Sequence, residues 1–173
     1  MKRESGSIEY APGNAFELNF VSPFDAVLIT EVIEHVAHPD QFLAKAAQLV
    51  KIGGYIIMTT PNGAYFRNPL PKFSDCPTPE QFEAVQFKPN SDGHIFLLHP
   101  EEVEMLSART GLVLRDLRLF TNSLSNGHVK TAKLHYLLPK FVIDTIERMT
   151  SSLPDAIGRH LNTQMAAVFE RVS

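Results

Sequence analysis

Cysteine is almost missing from this sequence: Cys76 stands alone. That excludes an intramolecular disulfide and a cysteine-rich zinc site, and it fits a reducing compartment. Positive charge is not in surplus either. Sixteen Lys and Arg face nineteen Asp and Glu, giving a formal net charge of −3 and a pI near 6.1. A broad nucleic-acid footprint is therefore not expected. The one local basic cluster, Lys130 and Lys133 with His128 and His135, is short enough to read as solvated surface. No apolar run approaches the roughly 18–20 residues of a membrane span. The start, Met1 to Gly6, lacks the apolar core of a signal peptide. A cytoplasmic protein with no membrane span is the expectation, its oligomeric state left open. What the sequence does hold is 173 residues at 44% apolar content, enough for one domain with a real core.

Ser7 to Tyr10 reads as a short strand closed by Pro12, Gly13 and Asn14. Phe24 to Thr30 is an almost unbroken apolar run, the pattern of a strand buried on both faces. Asp40 to Val50 carries Phe42, Leu43, Ala46, Leu49 and Val50 at the spacing of an amphipathic helix. Lys51 and Gly53-Gly54 read as its stop signal. Tyr55 to Thr60 is a second apolar strand, cut off by Pro61-Asn62-Gly63. Strand, helix and strand make a βαβ unit. Pro61 to Gly93 shows no period and is long for a plain connection, so it reads either as a lid or binding segment or as a surface insertion. Pro100 to Thr110 is a further helix stopped by Gly111. Leu112 to Phe120 reads as a strand, Leu138 to Leu153 as a helix and Gln164 to Phe169 as a last strand.

The run Phe24-Asp25-Ala26-Val27-Leu28-Ile29-Thr30-Glu31-Val32-Ile33-Glu34-His35-Val36 is followed in order by Pro39, Phe42-Leu43, Lys51-x-Gly53-Gly54 and Thr59-Thr60-Pro61-Asn62. Gly93-His94-Ile95 and Thr110-Gly111-Leu112-Val113 come later. This ordered set resembles the class I S-adenosylmethionine-dependent methyltransferases over residues 7–120, with Ser7–Tyr10 at the place of their third strand and Phe24–Thr30 at that of their fourth. The resemblance implies an α/β Rossmann-like sheet that is incomplete, its first two strands absent, with a C-terminal helix. Residues 1–173 then form one partial methyltransferase domain, in which 121–173 supply the C-terminal helix and last strand.

In an open α/β sheet, ligands sit beyond the carboxyl ends of the strands, so Thr30-Glu31 and Thr60-Pro61-Asn62 should line one crevice. The resemblance places S-adenosylmethionine there, with Thr30 and Glu31 toward its methionine side and Asn14-Ala15 toward its adenine. Asn14 suits a turn equally well. Glu31, Glu34 and His35 share one face if a helix begins at Glu31. The Glu-x-x-Glu-His pattern resembles the metal site of the ubiquinone-biosynthesis O-methyltransferases and the small-RNA 2′-O-methyltransferases. It implies a divalent cation such as Mg2+ on Glu31, Glu34 and His35, with His94 as a further ligand. Alternatively Glu34 and His35 hydrogen-bond backbone and shape the crevice. Glu31 or His35 is the candidate general base, and Tyr65 and Arg67 are placed to touch substrate. His38, His99, His128, His135 and His160 read as surface or capping residues.

The family's Gly-rich loop has no counterpart, since no G-x-G-x-G follows a strand in this sequence. The expectation is a fragment, from a truncated reading frame or a late assigned start, that leaves Ser7–Tyr10 without a neighbour and Ala26–Thr30 at an edge. The leading reading is methyl transfer to an unidentified small-molecule or lipid-linked acceptor. Phe66, Phe73, Phe82, Phe87 and the late apolar helix hint at the lipid-linked case, although such stripes commonly belong to a core. The alternative is a non-catalytic remnant that binds a partner through its edge strand or the Leu138–Leu153 helix. A nicotinamide dehydrogenase lacks its own G-x-G-x-x-G and gains nothing from Glu31 to His35.

Overall fold

The computed structural model describes residues 6–18, 20–76, 78–84, 93–108, 110–122 and 138–173. The expectations placed on Met1–Ser5, Phe87, His128, Lys130, Lys133 and His135 lie outside the described residues.

Strand β1 (Phe24–Thr30) and strand β2 (Val50–Pro61) pair in parallel, with Ala26 opposite Tyr55 and Thr30 opposite Thr59. Helix α1 (Pro39–Gln48) connects them. Pro39 occupies its first turn, where a missing N–H costs nothing. Its buried positions, Pro39, Leu43, Ala46 and Ala47, return every three or four residues and so face the sheet together. The helix stops at Gln48, and β2 begins at Val50, earlier than the glycines suggest. Gly53 and Gly54 sit inside an irregularity of β2, where the pairing jumps from Phe24–Val50 to Ala26–Tyr55. Gly53 takes a φ of 79°. A Cβ on Gly54 would lie 2.7 Å from Asp25 O and 2.6 Å from Val50 Cγ1. The pair therefore lets β2 bulge and close against β1.

Helix α2 (Pro100–Ser107) leads into strand β3 (Leu112–Asn122). Helices α3 (Lys140–Ser151) and α4 (Asp155–Leu161) then precede strand β4 (Asn162–Arg171). The sheet order is β1-β2-β4-β3, and β4 runs antiparallel to both neighbours. In the sheet order that the resemblance implies, 3-2-1-4-5-7-6, the four strands β1-β2-β4-β3 take the places 4-5-7-6. On one face Ile29, Ile56, Met58, Met165, Ala167 and Phe169 pack against Leu43 of α1, Val103 of α2 and the segment Ile95–Leu98.

Two strand expectations need correction. Ser7–Tyr10 forms no strand, and Ile8 and Tyr10 are 100% and 88% exposed. No strand among the described residues lies beside it to complete its hydrogen bonds. β1 is not buried on both faces: Ile29 is buried, but Leu28 is 71% exposed. Nothing covers that face of β1, and its outer edge is unpaired among the described residues.

Candidate active site

The carboxyl ends of β1 and β2 and the start of β4 converge on one rim, because β4 runs opposite to β2. Past β1 the chain turns sharply. Glu31 has a φ of 52°, uncommon for a residue with a side chain. A short 3-10 turn, Ile33–His35, follows it. No helix begins at Glu31, so the condition for a shared i, i+3, i+4 face is not met. Glu31 lies exposed at the rim, and its Oε1 accepts a hydrogen bond from Thr59 Oγ1 at 3.1 Å. Thr30 is exposed beside it.

Glu34, by contrast, is fully buried. Thr60 Oγ1 donates to its Oε2 at 2.9 Å. Its Oε1 has no hydrogen-bond partner among the described residues and lies 3.9 Å from both His35 Nε2 and His94 Nε2. The two imidazoles meet edge to face with centroids 4.7 Å apart. The Ile95 amide donates to Glu34 O at 3.0 Å, fastening the Gly93-His94-Ile95 segment to the turn. One ligand atom from each of Glu34, His35 and His94 lies within 4.8 Å of the others. Burial pushes the Glu34 carboxyl above its ordinary range, against hydrogen bonds from backbone and from Thr60 that pull it down. A buried carboxylate oxygen without a donor, facing two imidazole nitrogens, is a donor set that a divalent cation would satisfy. Of the residues proposed from sequence, Glu34, His35 and His94 are brought together, and Glu31 is not part of the cluster.

Beside His94 opens a cavity of about 740 Å³. Pro61, Asn62, Tyr65 and Arg67 line it from the β2 side, and Thr163 and Gln164 from β4. Asn62 holds this wall in place: Nδ2 donates to Arg159 O and Asn162 O, both at 2.7 Å, and Oδ1 accepts from the Ala64 amide at 3.0 Å. Gly63 is required there because a Cβ would lie 2.4 Å from Leu97 O. His160 Nδ1 bonds Ala64 O at 2.9 Å, so α4 braces the same loop. Within the long Pro61–Gly93 stretch, Pro61–Leu70 and Gly93 thus supply a bonded wall of the cavity. Thr163 and Gln164 carry no motif signal; only the antiparallel insertion of β4 brings them here.

Asn14 lies apart, in a turn of its own. Its Oδ1 accepts from the Phe16 amide at 3.1 Å and its Nδ2 donates to Glu17 at 2.8 Å. Ala15 follows, exposed. His38 pairs with Glu83 at 2.7 Å, and His99 precedes α2, its amide donating to Glu102 Oε2 at 2.8 Å.

This topology and the rim at the strand ends define an α/β domain of the nucleotide-cofactor kind. A family model described as a methyltransferase domain matches residues 4–117. The chain belongs to that family, the class I S-adenosylmethionine-dependent methyltransferases. Among curated proteins it is similar to the ubiquinone biosynthesis O-methyltransferase of Rhizobium etli, 33% identical over 129 residues, 72% of this chain and 49% of that one. The enzyme of the same description from Caulobacter vibrioides is 47% identical over 57 residues, 32% of this chain and 23% of that one. The chain spans about half the length, or less, of these relatives. Its fold is similar to that of the O-methyltransferase from a trans-AT PKS multienzyme of Brevibacillus brevis, solved in complex with S-adenosyl-L-homocysteine. That match has a TM-score of 0.50 at 14% identity and covers 92% of this chain and 48% of the other.

Proposed function

We propose that this chain carries the acceptor side of a methyl-transfer site that uses S-adenosylmethionine and a divalent cation to methylate an oxygen. The observation that carries the reading is Glu34: a fully buried carboxylate at the end of β1, one oxygen held by Thr60 and the other turned, unpaired, toward His35 and His94. The relatives' description as O-methyltransferases supports the oxygen acceptor. Thr30 and Glu31, exposed at the rim, fit the methionine side of the cofactor, with Asn14 and Ala15 toward its adenine. The cofactor, when bound, supplies a methyl already activated on a sulfonium, so the protein has mainly to align the reacting atoms and exclude water.

The cation would sit on Glu34, His35 and His94, where it lowers the pKa of a hydroxyl brought to it. Thr60 keeps the Glu34 carboxylate from rotating, and the Ile95–Glu34 backbone bond keeps His94 in reach. Glu31, exposed at the rim and not among the cation's ligands, is left to take the acceptor's proton as the oxygen–methyl bond forms and the methyl–sulfur bond breaks. The walls built on Asn62 and Tyr65 hold the acceptor in place. Two imidazoles with one carboxylate suit manganese, iron or zinc better than magnesium, which favours oxygen ligands.

Calorimetric titration of the chain with S-adenosylhomocysteine, with and without Mg2+, Mn2+ or Zn2+, tests the reading. Micromolar binding with a cation-dependent gain is expected, and Glu34→Gln should lower cation affinity at least about tenfold, near 1.4 kcal/mol. A folded sample that binds neither S-adenosylhomocysteine nor a cation would overturn it.

A further inference from the structure

We infer that a second cavity, between the outer strand β3 and helix α4, is a ligand site for a small apolar molecule that donates one hydrogen bond through an O–H or N–H group. It shares no lining residue with the cavity beside His94. The space measures about 380 Å³. Leu117, Leu119 and Phe120 of β3 line one side, and Leu153, Gly158 and Asn162 line the other. The two β3 leucines are only half-buried and Phe120 is exposed, so apolar surface is left for a ligand to cover. Arg118 also lines the space, but its guanidinium is largely exposed and bonded to Asp116 at 2.7 Å.

Asn162, the first residue of β4, is 2% exposed. Its Nδ2 donates to Gly158 O at 3.0 Å and to Thr150 O at 3.5 Å, which sets the orientation of the amide. Its Oδ1 is buried and has no hydrogen-bond partner among the described residues. Turning the amide over would set its oxygen against those two carbonyls, so Oδ1 needs a donor that enters from the cavity. A buried acceptor without one bears its desolvation cost with nothing to offset it, and native chains keep few of them.

Gly158 is a second, independent sign. It lies in the middle of α4, in ordinary helical backbone, where glycine is weaker than alanine. A Cβ there would meet Asn162 Nδ2 and Leu153 O at 3.5 Å, which are ordinary contact distances. Neither the backbone nor crowding calls for a glycine. The missing side chain leaves room beside Asn162 and Leu153, where the cavity lies. Asn162 also reaches the first cavity, since its O accepts from Nδ2 of Asn62, which holds the wall beside His94. A ligand on Oδ1 thus touches a residue on which that wall hangs.

The test compares indole with benzofuran, alike in shape but with an ether oxygen where indole carries its N–H. Both are titrated into the whole chain and followed by the protein's amide NMR signals. Indole should shift the amides of Leu119, Gly158 and Asn162 and bind at least about tenfold tighter than benzofuran. Asn162→Leu should remove that preference. Gly158→Leu, which fills the cavity with a residue suited to a helix, should weaken both ligands at least about tenfold, and it serves if the Asn162 variant does not fold. A wild type that binds neither ligand, or binds benzofuran as tightly as indole, overturns the inference. Shifts confined to Tyr65, His94 and their neighbours would put indole in the first cavity and overturn it as well. So would an Asn162→Leu variant that keeps the preference, or a folded Gly158→Leu variant that binds indole as the wild type does.

Discussion

Glu101, outside the candidate site, is met by three basic side chains. Arg159 of α4 donates to it, Lys72 lies 3.3 Å away and His99 Nδ1 3.6 Å away. Partial burial raises the pKa of this carboxyl, but hydrogen bonds from backbone, Arg159 and Lys72 outweigh that and hold it at about 2. A depressed carboxyl favours the fold above its unfolded value, and the benefit is lost as pH falls through the folded one. The window therefore runs from the ordinary 4.5 down to about 2. The group is half exposed, so the contribution at neutral pH should stay below about 1 kcal/mol. Urea midpoints of wild type and Glu101→Gln, taken from about pH 5 to about pH 2.5, should converge as the pH falls. Parallel curves would mean that the cluster does not hold α4 to the cavity loop. Because Arg159 O also accepts from Asn62, loosening this cluster would be felt in the wall of the cavity.

At the scale of elements, the β1–β2 unit depends on Gly54. A methyl there meets Asp25 O and Val50 Cγ1 at distances real Cβ atoms do not show, so the strands must part. Gly54→Ala should cost about 1–3 kcal/mol in chemical denaturation, as overpacking does; a loss below about 0.5 kcal/mol would show that the strands give way easily. The same stretch shows what could be read from sequence. Apolar runs and helical spacing located β1, α1, β2, α2, β3, α3 and β4 to within a few residues, because each buries a stripe that leaves a period. Gly53-Gly54 were visible but read as a helix stop, since a bulge leaves no period of its own. Ser7–Tyr10 has the composition of a strand, yet a strand exists only where a neighbour pairs with it. Glu31, Glu34 and His35 stood out as a motif, but the left-handed turn at Glu31 breaks the helical spacing that would have united them. His94 was found through its motif. Gln164 was out of reach, because only the strand order carries it to the rim.

Across the whole molecule the sheet is lopsided. One face is packed by α1 and α2, while Leu28 on the other is open and the outer edge of β1 is unpaired among the described residues. An open apolar edge invites association with other chains. Leu28→Lys should leave stability within about 0.5 kcal/mol and raise the concentration at which light scattering detects association. A core-like loss of stability, or unchanged scattering, would show that this face is covered in solution. Among the described residues no helix is long and apolar enough to cross a membrane.

The central place of β4 also governs how the molecule assembles in time. β2 finds its second neighbour about a hundred residues further along the chain, a separation that makes strand pairing slow because loop closure precedes its reward. On the ribosome, the β1–α1–β2 unit emerges before β4 with Ile56 and Met58 bare, and β3 waits as well. Strand β4, made after its neighbours, is the keystone: until it slides in antiparallel between β2 and β3, the two halves of the sheet are not joined and the rim lacks the side that Thr163 and Gln164 supply.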